Sequence, residues 1–170
     1  MSRRRRAPRL VTVTRLEMTH PGELRAAPAV EGVAIERVTD FRANKWFYET
    51  IGSRWEWTDR LPWTDEQWQA YAGGVETWQA GVAGRRAGYA ELRSGGAAGA
   101  EIVMFGLLDE YHGRGIGGHL LTFALERAWE LARGGPSRVF VSTCTLDGPH
   151  ALSNYEARGM RRCAEVTVPR

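Results

Sequence analysis

Tyr111-His112-Gly113-Arg114-Gly115-Ile116-Gly117-Gly118-His119-Leu120-Leu121 is the stretch on which the reading of this chain turns. Before it, Ala100 to Leu108 reads as a strand. After it, Ile116, Leu120, Leu121, Ala124, Leu125, Ala128 and Leu131 form a broad apolar stripe of helical period, the mark of a long helix packed on a sheet. A glycine-rich turn between a strand and a helix start gathers backbone N–H groups and the positive end of the helix dipole at one point. Glycines there let phosphate oxygens reach the amides and allow left-handed backbone. A pyrophosphate would fit there; the alternative is a glycine-rich loop that only lets the helix and strand pack closely.

Two familiar phosphate sites fit poorly. A Rossmann-type dinucleotide loop follows the first strand of a parallel βαβ array, with an acid about 20 residues on. Here the loop follows three strand-like runs, Val75 to Val82, Ala87 to Leu92 and Ala100 to Leu108, separated by short turns at Gly84-Arg85 and Ser94-Gly95-Gly96. No Gly-Lys-Ser/Thr of a P-loop is present.

Working outward, Leu10 to Met18 and Val33 to Val38 read as strands joined by an Ala/Pro/Gly-rich crossing loop. Thr39 and Asp40 suit the start of a helix running to Gly52, and Thr64-Asp65-Glu66-Gln67 the start of a second ending at Gly73-Gly74. Trp46 and Trp68 are expected in the core. After the long helix, Gly134-Gly135-Pro136 breaks the pattern, Arg138 to Cys144 is a strand, Pro149 to Arg158 a short helix and Met160 to Val168 the last strand. The order β-β-α-α-β-β-β-α-β-α-β predicts an α/β (α+β) fold with a mixed, mostly antiparallel sheet flanked by helices, without internal repeats.

The 170 residues suit one domain with a substantial core, expected over 10–170. Apolar residues at 43% and charged residues at 25% exclude wholesale disorder. The net charge of +3 is misleading. Five arginines lie within the first ten residues without an acid, leaving 18 basic against 20 acidic residues in the remainder. Residues 1–9 read as a basic, flexible, solvated arm, and nucleic acid is not the expected partner. The arm lacks the apolar run of a signal peptide, and no stretch approaches a membrane span, so a cytoplasmic protein without a membrane partner is expected. Cys144 and Cys163 show no metal or disulfide spacing, and no metal is assigned.

With these elements in place, His112-Gly113-Arg114-Gly115-Ile116-Gly117 resembles the Q/R-x-x-G-x-G/A motif of GNAT (GCN5-related) N-acetyltransferases, with His112 in place of Gln/Arg. Ala151-Leu152-Ser153-Asn154-Tyr155-Glu156-Ala157-Arg158-Gly159-Met160 resembles the family's closing A-x-x-x-Y-x-x-x-G-F element, with Met160 for Phe. A bacterial subgroup is resembled further through Trp55-Glu56-Trp57-Thr58-Asp59-Arg60-Leu61-Pro62-Trp63 and Thr143-Cys144-Thr145-Leu146-Asp147, although Ser142 and Gly148 stand where that subgroup is expected to carry histidines. The resemblance implies a GNAT fold with an extra N-terminal strand, acetyl-CoA as acyl-donor cosubstrate and an amine acceptor of unknown identity. A homodimer is compatible with it. It implies that the main chain of His112, Gly113, Arg114, Gly115, Ile116, Gly117 and Gly118 holds the pyrophosphate, and that the backbone of Leu107 and Leu108 meets the pantetheine arm and thioester.

The resemblance further implies two catalytic residues. Tyr155 matches the tyrosine beside the CoA sulfur and would serve as general acid; its alternative is an aromatic packing residue. Glu101, fourteen residues before Gly115, matches a general base; its alternative is a solvated acid at a strand end. Trp55, Trp57 and Asp59 are candidates for the acceptor site, by cation–π and charge attraction to a cationic amine, or else belong to the core. Two further readings keep the fold: transfer from another acyl-CoA, and a non-catalytic module that senses CoA or binds nucleic acid.

Overall fold

Polar caps set where the helices begin. Asp40 accepts a hydrogen bond from the Arg42 amide at 2.9 Å and opens α1 (Phe41–Gly52). Thr64 and Gln67 form a reciprocal capping box at the head of α2 (Asp65–Ala72). The computed structural model describes residues 9–133 and 138–170, so most of the basic arm and the Gly134-Gly135-Pro136 breaker lie outside the described residues.

Seven strands form one sheet: β1 (Leu10–Met18), β2 (Val33–Val38), β3 (Glu76–Val82), β4 (Arg85–Ser94), β5 (Ala100–Leu107), β6 (Val139–Cys144) and β7 (Arg161–Pro169). Their order is β2-β3-β4-β5-β6-β1-β7, and the one parallel pair is β5 with β6. The sheet is mixed and mostly antiparallel, as the element order predicted. The hairpin turn between β3 and β4 sits on Ala83 and Gly84, one residue earlier than the sequence suggested; both have positive φ, 49° and 75°. The chain's first strand does not add to an edge. It fills the slot between β6 and β7, antiparallel to both, so α4 (Ala151–Ala157) crosses over it to join two parallel strands.

Helix α3 (Ile116–Leu131) covers one face of the sheet. Leu121, Ala124, Leu125 and Ala128 pack on Leu16, Ala90, Leu92, Ile102 and Val141, all buried. Each large aliphatic side chain removed from water in this way contributes about 1.5–3 kcal/mol before entropy is counted. On the opposite face α1 lays Phe47 flat on Tyr89, ring centroids 4.6 Å apart, with Ile51 beside them. Trp68 is fully buried, but Trp46 is 37% exposed, contrary to its expected place in the core, and carries Arg86 over its ring at 5.0 Å. The crossing loop between β1 and β2 is tied down by the Ala27 amide donating to Thr122 Oγ1 (2.9 Å) and the Val30 amide donating to His119 Nδ1 (3.2 Å). These two bonds fasten the loop to α3.

Candidate functional site

Strands β5 and β6 are paired only over Ala100–Ile102 and Val139–Val141. Beyond Ile102, β5 bonds to β4 alone, while Thr143 and Cys144 of β6 bond to β1. The two strands part, and a cavity of about 880 Å³ opens between them. The start of α3 closes one end, α4 runs along one side, and the loop Trp55 to Arg60 lies over the other end.

The start of α3 carries no side-chain cap. Gly115, at φ +77°, is its N-cap, and Gly113 at φ +73° makes the second left-handed turn, so the chain bends sharply around Arg114. The amides of Ile116, Gly117 and Gly118 have no partner within the helix. A Cβ on Gly117 would lie 3.2 Å from Leu107 Cδ1 and 3.6 Å from Asn154 Nδ2, so glycine keeps open the gap between β5 and α4. This is anion-binding geometry opening on a cavity.

Of the residues expected at the acyl donor, Leu107, His112, Gly113, Gly115, Gly117 and Gly118 line the cavity. Leu108, Arg114 and Ile116 do not. The Leu108 amide is donated to Ala87 O at 2.9 Å, the Arg114 guanidinium lies over the Tyr111 ring at 5.3 Å, and the Ile116 side chain is buried in the core. His112 Nε2 lies 3.2 Å from Leu107 O, which latches the loop to the end of β5.

Tyr155 lies on α4 in the cavity wall, with the Phe105 ring edge-on at 6.2 Å between centroids. Burial, reinforced by the negative charge of Asp147, pushes its phenol well above the ordinary value, so the hydroxyl stays protonated across neutral pH. Glu101 is not brought to the cavity. It stands opposite Phe140 within the paired stretch, below the point where the strands part, and its carboxylate is held by Arg93 at 2.6 Å. This placement favours a structural ion pair over a general base.

Trp55, Trp57 and Asp59 all reach the cavity, at the end away from α3. Trp57 Nε1 donates to Asp147 Oδ1 at 3.3 Å. The Trp55 ring covers Gly148, where a Cβ would stand 3.2 Å from Trp55 Cζ2. The two tryptophans therefore converge on the turn Asp147-Gly148 at the end of β6. The sequence displayed both motifs but not their contact, which depends on the parting of β5 and β6.

Glu91 on β4 gave no signal in the sequence. It is fully buried, accepts hydrogen bonds from Asn44 Nδ2 (2.7 Å) and the Tyr71 hydroxyl, and lies 3.6 Å from the Arg60 guanidinium. Arg60 in turn contacts the rings of Tyr48, Trp63 and Tyr71 and lines the cavity. This buried charge pair holds the loop Trp55 to Arg60 to the sheet. Among the described residues, no three His, Cys, Asp or Glu side chains are grouped to hold a metal ion, and no helix is long and apolar enough to cross a membrane.

Residues 37–160 match the family model described as acetyltransferase (GNAT) family. The chain belongs to the GNAT acetyltransferase family. A search of curated proteins finds no significant match. Among solved structures, a GCN5-related N-acetyltransferase from Kribbella flavida superposes with a TM-score of 0.67 at 19% identity, over 93% of this chain and 57% of the other. One from Sphaerobacter thermophilus gives 0.63 at 21%, over 94% and 50%. An aminoglycoside acetyltransferase from an uncultured soil metagenomic sample gives 0.60 at 18%, over 75% and 87%. At these identities the likeness is one of fold. The chain spans 57% and 50% of the length of the first two.

Proposed function

We propose that the protein transfers an acetyl group from acetyl-CoA to a primary amine by direct attack, both substrates being bound together. The observation that carries this reading is the uncapped, glycine-lined start of α3 opening on a cavity whose wall also holds Tyr155. The amides of Ile116, Gly117 and Gly118 receive the pyrophosphate, and the arm with the thioester lies between β5 and β6. The neutral amine nitrogen attacks the thioester carbonyl carbon, the C–S bond breaks, the departing sulfur takes its proton from the Tyr155 hydroxyl, and the proton that the nitrogen sheds as the amide forms restores the Tyr155 phenol through solvent. Family membership supports the reaction class.

Calorimetry with acetyl-CoA tests the donor site. Binding at micromolar concentrations is expected, and its absence at high micromolar concentrations overturns the reading. In Gly117→Val the branched side chain enters the gap between Leu107 and Asn154. Affinity for acetyl-CoA should fall at least tenfold with little change in thermal midpoint. Equal affinity in the variant would place the pyrophosphate elsewhere.

A further inference from the structure

Three carboxylates line the cavity: Glu56, Asp59 and Asp147. Two are already matched. Glu56 is paired with Arg9 at 2.7 Å, and Asp59 lies 3.4 Å from the Arg170 guanidinium. The cationic neighbours at that end are also engaged, since Arg60 stands against buried Glu91 and Arg170 donates to Glu56 O and Thr58 Oγ1. Asp147 differs. Among the described residues it has hydrogen-bond donors but no cationic partner.

Its position is nonetheless fixed. Oδ2 accepts from Thr143 Oγ1 at 2.6 Å and from the Cys144 amide at 2.8 Å, so that oxygen is fully used. Oδ1 has only the longer contact from Trp57 Nε1, at 3.3 Å, and keeps an acceptor site free. Trp55, Trp57, Ile51 and Met104 supply apolar surface to the same cavity, alongside the polar Ser142, Thr143 and His150. A carboxylate with no counter-charge, held in place beside aromatic faces, attracts a cation by charge and by the ring faces together.

We propose that Asp147 Oδ1 is the docking point for the acceptor's ammonium group, and that the acceptor is a primary amine on an apolar stem, the stem lying against Trp55 and Trp57. The arrangement gives Glu56 and Asp59 no part in holding that charge. It also explains why Gly148 must be small: a side chain there would push away the Trp55 ring that forms one wall of the dock. Asp147 holds the amine in its cationic form at the turn that ends β6, and the ammonium releases its extra proton to solvent before the nitrogen attacks. This inference rests on the acetyltransferase reading for its meaning, but its test does not need acetyl-CoA.

The test uses phenethylamine and its uncharged counterpart 2-phenylethanol, titrated by calorimetry into the full chain without cosubstrate. The wild type is expected to prefer the amine at least tenfold. Equal binding of the two, or no binding of the amine at 10 mM, overturns the proposal. Asp147→Asn, which keeps the shape and an acceptor oxygen, should lose the preference, while Glu56→Gln, whose charge is already matched by Arg9, should keep amine affinity within twofold. An unchanged preference in Asp147→Asn also overturns it. If that variant does not fold, as circular dichroism will show, the amine-against-alcohol comparison in the wild type decides alone. Acetyl-CoA is titrated separately: binding of acetyl-CoA with no amine preference removes the dock and leaves the transferase reading, whereas amine preference without acetyl-CoA binding does the reverse.

Discussion

Tyr155→Phe will lower kcat by about a hundredfold or more, the usual contribution of a positioned general acid, while leaving the affinity for acetyl-CoA nearly unchanged. The split follows from what the ring and the hydroxyl each do. The ring packs in the main core with Phe105 against it, and phenylalanine preserves that contact. The hydroxyl is left facing the cavity, with burial and the charge of Asp147 keeping it protonated and no hydrogen bond within the chain contributing to that shift. Removing the oxygen therefore removes a proton donor and no structural bond. The thiolate must then leave unprotonated, so the loss should shrink with an acetyl thioester whose thiol is more acidic. A variant with full turnover on acetyl-CoA, or one equally impaired on both donors, would exclude Tyr155 as the acid.

The helix starts and most strand spans were legible because they are written locally. Asp40 and Thr64 are capping residues, and the stripe from Ile116 to Leu131 has one period throughout. The same local reading placed the glycine turn, since an uncapped helix start with four nearby glycines has few other uses. What was not legible depends on pairing. Nothing within Leu10–Met18 says that this strand enters between β6 and β7, because any β-branched strand of that length would fit. Strand β4 reaches Arg85 and Ser94, beyond the apolar run Ala87 to Leu92, since its charged ends face solvent while their backbone still pairs.

Glu101 and Asp147 show the same limit at the site. Distance along the chain gave Glu101 the right spacing from Gly115, but the sheet stays paired past Glu101 and opens only after Ile102. Asp147 closes the stretch Thr143-Cys144-Thr145-Leu146-Asp147 without an evident role in the sequence, and its contact with Trp57 exists only because the fold brings the loop to the end of β6. The glycine turn, written locally, marks one end of the cavity. The other end is assembled from segments some ninety residues apart, and only the fold brings them together.

Glu91→Ala is expected to cost about 3–5 kcal/mol, the scale for breaking a buried ion pair by removing one partner. For a chain of this size that lowers the thermal midpoint by roughly 10 °C. The carboxylate is fully buried beneath α1 and α2, and without it the Arg60 guanidinium is left in a nest of aromatic rings with no counter-charge. The Tyr71 hydroxyl loses its acceptor, and the fully buried Tyr89 hydroxyl beside it already has none. Yet burial pushes Glu91 above the usual carboxylate range despite its hydrogen bonds from Tyr71 and Asn44 and the charge of Arg60, so its ionised form is less well solvated here than in water. Removing both charges should therefore be tolerated: Arg60→Met with Glu91→Leu is expected to regain most of the loss. A double variant as unstable as Glu91→Ala would show that hydrogen bonding, not charge pairing, sets the cost. The pH dependence has a definite sign. A folded-state value above the unfolded 4.5 means that the folded protein holds this proton longer, so the contribution of Glu91 to stability is greatest below about 4.5 and falls as pH rises through its folded value. Urea midpoints of the wild type minus those of the double variant, followed from pH 4 to 8, should decline along that course, and a rising difference would reverse the assignment.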